Sequence, residues 1–513
     1  MNNKISGGTI TDESIIPLVY KNYGQYSVDT QSRNIPRIED YMISVTRRII
    51  ARIINATSLV KSAKIVGDVL GGTHPHGDSS VYGALQTIAS ARASFPLVQG
   101  KGNWGDLRNN RKAAAYRYTE CMIHKNLELV LDDESMKRAG VYIPNFSGDS
   151  TEPYFLMTKI PIGLLNHISG IVVGVKVNTP SHNLNEIIDA CIKVIEGDYN
   201  ISTKSLAKII KAPDHRLYDV NYLVDKKEWN EILETGSGKV MNQPTYNIEE
   251  NCAIFTSIPY MTNIEKFIET VYKINDKLVK KFNKRGIVKR VLDIGANEGD
   301  LAIQITFLSN TPKDREINNE LLNQLVTATT SNIYYNMMVC EQISNEAPSM
   351  SDGATYQVKN IGIKDLIISH QSRRKEYKLK ALFIRLDELK RDLDCEDLKL
   401  LVANDSNKFF KILAEAPTTK EAIKAIAKTY KKEEEIAERV VNSTFSAFIN
   451  KQERIRAAIE RLQKEIADTE NKIKNIDQYL IDELNALKSK IGRTRKSTIT
   501  EVFNPVIESP DKI

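Results

Sequence analysis

Near the start of the chain, apolar residues recur at helical spacing in two short runs: Val45, Ile49, Ile50, Ile53 and Ile54, then Val81, Tyr82, Leu85, Ile88 and Ala89. Each run predicts a short amphipathic helix. Asp78 directly precedes the second and is expected to cap it, leaving backbone N–H groups and the positive end of the helix dipole for an anion such as phosphate. Gly100, Gly102 and Gly105 then punctuate the turn-rich GKGNWG ahead of AAAYRYTE. Helices followed by a Gly-rich, strand-like excursion predict a winged helix-turn-helix. From about 131 to 335 the signal is mixed: SGIVVGVKV (169–177) alternates like one strand, LNEIIDACIKVIE (184–196) repeats like a helix, and an α/β domain is expected.

The last third changes character. Leu379, Leu382, Leu386, Leu389 and Leu393 step alternately by three and four, as do Ile455, Ile459, Leu462, Ile466, Thr469, Ile473, Ile476 and Leu480. Each set is a heptad seam. Helices of their own, one opened by Thr418 and Glu421 in capping-box register, separate the seams, so the two can pair only by running antiparallel. At 1.5 Å per residue, a seam of about 25 residues spans roughly 40 Å, more than the width of a DNA duplex. A stalk with a globule at its tip is expected; a generic dimerising coiled coil is the plainer reading of the same heptads. After about Lys488 the periodicity fades and the tail reads as an extended end.

Length and composition set bounds. A chain of 513 residues exceeds one ordinary core, so several domains are expected, and 41% hydrophobic with 27% charged residues is not the balance of a disordered chain. The result is an α+β multidomain reading. Five cysteines without a CxxC pair argue against a zinc ribbon or a disulfide framework, and no apolar run reaches the roughly 18 residues of a membrane span. A soluble, cytoplasmic protein in a reducing compartment, without membrane contact, is expected. The net charge of +6 is unevenly spread: residues 33 to 118 alone carry 13 Lys/Arg against 5 Asp/Glu. Such a stretch suits a polyanion like DNA, although a solvated charged face would look similar.

Five blocks carry the sharper signal: RNIPRIEDYMISVTRRI (33–49), KSAKIVGDVLGGTHPHGDSSVYGAL (61–85), QGKGNWGD (99–106), AAAYRYTE (113–120) and SGIVVGVKVNTPSHNL (169–184). In order and spacing they resemble the A-type chains of type IIA DNA topoisomerases, gyrase and topoisomerase IV, and the resemblance continues more weakly through the stalk. It implies that Tyr118 is the nucleophile that cuts DNA, leaving a 5′-phosphotyrosyl ester; from the residues alone Tyr118 and Tyr116 are not separable. A phenol of pKa near 10 needs roughly 4 kcal/mol of preference for its phenolate to reach about 7, about what one cation at 4 Å supplies at an effective dielectric of 20. Arg117, adjacent in sequence, and Arg33, matching a family active-site arginine, are the expected cations. The resemblance further places His76 near the scissile phosphate, His74 and Asp78 in support, and Arg47, Arg48 and Lys64 on DNA. Ile171 aligns with an isoleucine that wedges between base pairs, against the alternative of strand core. Ser79 matches a serine that meets quinolone drugs, but Gly83 stands where an acid is usual, and Glu39, Ile43 and Thr46 stand where Arg, Lys and His are common. Drug response and DNA contact along that helix are expected to differ accordingly.

The domain reading that follows is an N-terminal arm (1–32), a winged-helix breakage domain (33–130), a tower domain (131–335), a first coiled-coil arm (336–395), a C-gate dimerisation globule (396–450), a second arm (451–487) and an extended tail (488–513). No metal site is expected in this chain. His74 and His76 lack further His or Cys at ligand spacing, GxGxxG at 100–105 lacks a Rossmann context, Glu298-Gly299-Asp300 lacks a following DxD pair, and Asp392 and Asp394 end a stalk helix. The resemblance implies that Mg²⁺ and ATP are bound by a B-type partner with GHKL ATPase and Toprim domains, joined to a homodimer of this chain on double-stranded DNA. With no room for a DNA-wrapping pinwheel after the stalk, relaxation or decatenation is expected over supercoiling. Two rivals are an architectural DNA-binding protein with a winged helix and coiled coil, and a tyrosine recombinase, whose dispersed Arg, His, Arg and Tyr these compact blocks do not match.

Overall fold

A computed structural model describes residues 15–106, 111–216, 219–260, 262–295, 301–342, 356–443 and 452–502, and shows a mixed helix and sheet architecture. The chain divides into two units, one of residues 1–131, 141–371 and 486–513, the other of residues 132–140 and 372–485. No helix among the described residues is long and apolar enough to cross a membrane. Glu298, Gly299 and Asp300 lie outside the described residues.

The first unit opens with α1 (Ile15–Asn34), α2 (Ser44–Ile53), β1 (Val60–Lys61), α3 (Ser62–Gly72), α4 (Asp78–Thr87), β2 (Val98–Lys101) and β3 (Glu120–Ile123). The apolar periodicity of α2 and α4 does what it predicts: Ile49, Ile50, Ile53, Val81 and Leu85 are fully buried. Asp78 is not the cap of α4. Gly77 occupies that position with extended backbone, and Asp78 is the first helical residue, its carboxylate still at the positive end. The three strands form one antiparallel sheet with β3 central. Its glycines are required by packing and backbone: a Cβ on Gly100 would sit 2.5 Å from the Trp104 indole nitrogen, and Gly105 has φ of +78°.

A knot ties α1 and α2 to the next sheet. Asp40, fully buried, accepts from the backbone N–H of Met42 (2.9 Å) and Leu156 (3.0 Å), while the buried Tyr41 hydroxyl lies 2.7 Å from Thr179 Oγ1. That sheet has six strands, in the order Thr498–Glu501, Asn221–Val224, Ser237–Gln243, Ser331–Asn336, Val175–Thr179 and Ile168–Val172. The segment 169–177 is therefore not one strand but two, joined through Gly174 at φ of +75°. The described part of the tail, residues 488–502, ends in a paired strand. The helix Ile476–Ile491 passes Lys488, and Thr498–Glu501 adds in parallel beside Asn221–Val224, where buried Asp214 accepts the N–H groups of Lys496 and Ser497. A four-stranded sheet, Thr245–Glu249, Cys252–Ser257, Ile303–Phe307 and Val288–Asp293, packs under helices Ile264–Phe282 and Pro312–Thr329 around Phe255, Phe267, Leu278, Ile305 and Leu321.

In the second unit, residues 372–404 of the helix Ile363–Asn404 run antiparallel to Gln452–Lys474 and to residues 476–485 of the helix Ile476–Ile491, a sense shown by the ion pairs Arg385–Glu465 (3.0 Å) and Arg374–Glu483 (2.8 Å). The heptad positions Leu382, Leu389, Ile455, Leu462, Thr469, Ile476 and Leu480 are buried. Two boundaries shift. Paired strands Met338–Gln342 and Tyr356–Asn360 occupy part of the expected first arm, and its helix runs past 395 to Asn404; the second seam breaks at Asn475. Between the seams, Ser406–Glu415, Thr419–Tyr430 and Glu434–Val441 close on Phe409, Ile426, Ile436 and Val440. Thr418 caps the middle helix, its hydroxyl accepting the Glu421 N–H at 3.3 Å.

Candidate functional site

Tyr118 ends a turn that leads into β3, its N–H donating to the Ala115 carbonyl at 2.9 Å. The next residue anchors that turn. Thr119 is fully buried, its Oγ1 2.8 Å from Ser62 Oγ on α3 and 3.0 Å from the Tyr82 hydroxyl on α4. The alternation that buries Thr119 turns Tyr118 outward, where it is 65% exposed. Arg117 lies with its guanidinium carbon 4.7 Å from the Tyr118 ring centroid, and its hydrogen bond to Tyr118 raises its own pKa. Tyr116 is held differently: its hydroxyl donates to Asp78 Oδ2 at 2.9 Å, which raises the Tyr116 pKa and lowers that of Asp78. A phenol bonded to a carboxylate resists becoming a phenolate. The two tyrosines that sequence alone could not separate thus occupy chemically distinct settings.

A second cluster gathers Arg33, Arg48, His74 and His76. Arg33, in the last turn of α1, meets His76 Nε2. The His76 ring stacks on His74 with centroids 4.5 Å apart and planes 20° from parallel. His74 is buried and its Nδ1 lies 2.8 Å from Arg48 Nη1, while burial and then the charges of Arg48, His76 and Arg33 hold its pKa down to about 3. Arg48 donates through Nε and Nη2 to Glu152 Oε2 and Oε1, at 2.6 and 2.7 Å. A cavity of about 410 Å³ adjoins this cluster, lined by Arg33, His74, His76, Thr46, His167 and Ser169 among others. Tyr118 does not line it.

Other expected site residues fall into two groups. Lys64, Ser79 and Ile171 are exposed, Ile171 at 78%, which removes the strand-core alternative for that side chain. Arg47 and Arg48, expected on DNA, are buried: Arg47 forms a bidentate pair with Asp40 (2.7 and 2.9 Å), and Arg48 meets Glu152 and His74. A Cβ on Gly83 would meet nothing within 4 Å. Glu152, Thr119 and Tyr82 were not singled out from the sequence: Glu152 lies outside the five blocks, Thr119 and Tyr82 carry no signal within theirs, and all three meet partners remote in sequence. Among the described residues no group of three or more His, Cys, Asp or Glu could hold a metal ion. The His74–His76 pair does not fit a cation, since its neighbours are Arg48 and Arg33.

The sequence matches the family model for the A-type chain of DNA gyrase/topoisomerase IV over residues 33–485. Aligned over 61% of its length, it is 32% identical to the A-type chain of DNA topoisomerase 4 from Haemophilus influenzae, covering 40% of that protein. Identity is 30% to the A-type chain of DNA gyrase from Buchnera aphidicola, over 81% of this chain and 48% of the relative. It is 28% to the A-type chain of DNA gyrase from Clostridium acetobutylicum, over 98% of this chain and 59% of the relative. The chain thus spans about half the length of the relatives it matches. With more than four fifths of its residues inside the family match, the chain belongs to the family of DNA gyrase/topoisomerase IV A-type chains.

Proposed function

We propose that this chain is the DNA breakage-reunion component of a type IIA topoisomerase, with Tyr118 as nucleophile. The observation that carries the reading is the contrast at the RYTE block: Tyr118 is exposed beneath the Arg117 guanidinium, while Tyr116 is tied to Asp78. In the proposed step the Tyr118 hydroxyl loses its proton to solvent as its oxygen bonds to phosphorus, and the P–O3′ bond breaks with O3′ taking a proton from solvent to become a 3′-hydroxyl. The 5′-phosphotyrosyl ester conserves the bond energy, and reversal reseals the strand. Arg117, Arg33 and His76 would stabilise charge on the phosphate oxygens. Exposed Lys64 and the start of α4 near Ser79 would lie along DNA, and Ile171 would insert at a base step.

The finer architecture belongs to the same reading. The α2–α4 helices with their three-stranded sheet would be the winged-helix domain, the two larger sheets the tower, and the helices at 406–441 the C-gate of a homodimer. A B-type partner would bring ATPase activity and Mg²⁺, so that paired Tyr118 residues cut opposite strands and a second duplex passes, relaxing or decatenating DNA. The test is a detergent-quenched reaction of the chain with its B-type partner, Mg²⁺ and supercoiled plasmid. Linear DNA with protein on its 5′ ends is expected; Tyr118→Phe should abolish the adduct and Tyr116→Phe should retain it. An adduct that survives Tyr118→Phe removes the proposal.

A further inference from the structure

We infer that Glu152 and Arg48 are positioning residues for DNA cleavage: the fork from Glu152 orients Arg48, whose remaining N–H group fixes His74 as the platform on which His76 and Arg33 are set. The inference rests on the proposed function of Tyr118 and brings in Glu152, which lies outside the five blocks, to act on Arg48 inside the first of them.

Geometry supplies the argument. Glu152 lies on the strand Thr151–Pro153, 104 positions from Arg48 in α2, and both side chains are more than nine-tenths buried. The two parallel hydrogen bonds occupy Nε and Nη2 and leave Nη1 directed at His74 Nδ1 at 2.8 Å. A guanidinium only donates, so Nδ1 of His74 must accept and its proton must sit on Nε2. One carboxylate therefore sets a tautomer. The backbone agrees, with the His74 N–H donating to the Val69 carbonyl at 2.8 Å and the His76 N–H to the His74 carbonyl at 2.7 Å. His74 then offers a fixed, uncharged face to His76, which stacks on it and meets Arg33. The charged or titratable groups acting on His74 are Arg48 from α2, Arg33 from α1 and His76 from its own loop. A proton on His74 would add a third positive charge between two guanidinium groups.

A buried ion pair could serve stability alone, and the variants separate the two roles. Arg48→Lys keeps a cation beside Glu152 but cannot fork to the carboxylate and reach His74 together. The double variant R48M/E152Q removes both charges, which a packed interior tolerates. With the B-type partner, Mg²⁺ and plasmid, each variant is expected to bind DNA within 2-fold of the unmodified chain and to keep its melting temperature. Each should form the Tyr118 adduct at least 10-fold more slowly. In the double variant, freed of Arg48, His74 should protonate more readily, so the loss deepens from pH 8 to pH 6. A normal rate and an unchanged pH profile in whichever variant folds overturns the inference. If the unmodified chain forms no adduct, the proposed function fails instead.

Discussion

Cations in the stalk face carboxylates across the helix pair: Arg374 and Lys378 reach Glu483, Arg385 reaches Glu465, and Lys390 reaches Glu470. Around Tyr118 the arrangement splits. Arg47 and Arg48 are likewise paired inside, with Asp40 and Glu152, but the exposed Arg117 faces a phenol ring. Charge matched to charge holds elements together and leaves little to offer a ligand. Charge set against an aromatic ring retains positive potential that a phosphate can use. On this view cleavage depends on a few side chains of the first region, and the mechanical role of the second depends on its seam and ion pairs.

The comparison breaks most sharply at Arg117. Arg117→Ala should slow adduct formation by about 10²- to 10³-fold in single-turnover cleavage while DNA affinity changes little, the scale seen when an oxyanion donor is removed. An equal loss of affinity would make Arg117 an ordinary phosphate contact. In the stalk, Lys378 is buried between Asp132 (2.8 Å) and Glu483 (3.3 Å). Lys378→Met should therefore cost about 3 to 5 kcal/mol in denaturant unfolding. Lys390→Ala, at a pair whose side chains are both about half exposed, should cost about 0 to 1 kcal/mol. Similar costs would show that burial does not govern the stalk pairs.

Acid sharpens the contrast. Burial holds the pKa of His182 at about 4 and of His215 at about 3, and none of the seven histidines lies in residues 372–485. Unfolded, each titrates near 6.5, so below that pH the unfolded chain binds more protons and stability falls, by about 1.4 kcal/mol per pH unit for each group. This stability is complete above pH 6.5 and is lost as the pH drops toward the folded values. Melting curves from pH 7 to pH 5 should show the first unit loosening while stalk helicity persists; a stalk that melts first contradicts the comparison. The smallest effects belong to the surface. Ile171→Ala should leave stability within about 0.5 kcal/mol yet reduce DNA bending measured by end-to-end energy transfer. Gly83→Asp, entering open space, should be equally silent in melting.

Wherever burial imposes a period, the fold was legible in the sequence. The faces of α2 and α4, the helix Leu184–Glu196 and both seams follow from apolar spacing, and the candidate site was legible as compact blocks. What escaped depends on contacts between distant positions. The Glu152–Arg48 fork bridges 104 residues and leaves no local pattern, so Arg47 and Arg48 read as surface cations when they are interior ones. Tyr116 and Tyr118 are set apart largely by Asp78, which reaches Tyr116 from α4, and by the partners that bury Thr119, Ser62 and Tyr82. In SGIVVGVKV the valines continue the alternation across the turn, and Gly174 was the one residue that marked it.

The central claim is that Tyr118, and not its neighbour, bonds to DNA. Arg117 separates the two for trypsin, placing Tyr116 in AAAYR and Tyr118 in YTECMIHK. After cleavage, nuclease trimming and digestion, mass spectrometry should find the nucleotide remnant on Tyr118. A remnant on Tyr116, or on any other residue, would contradict the account.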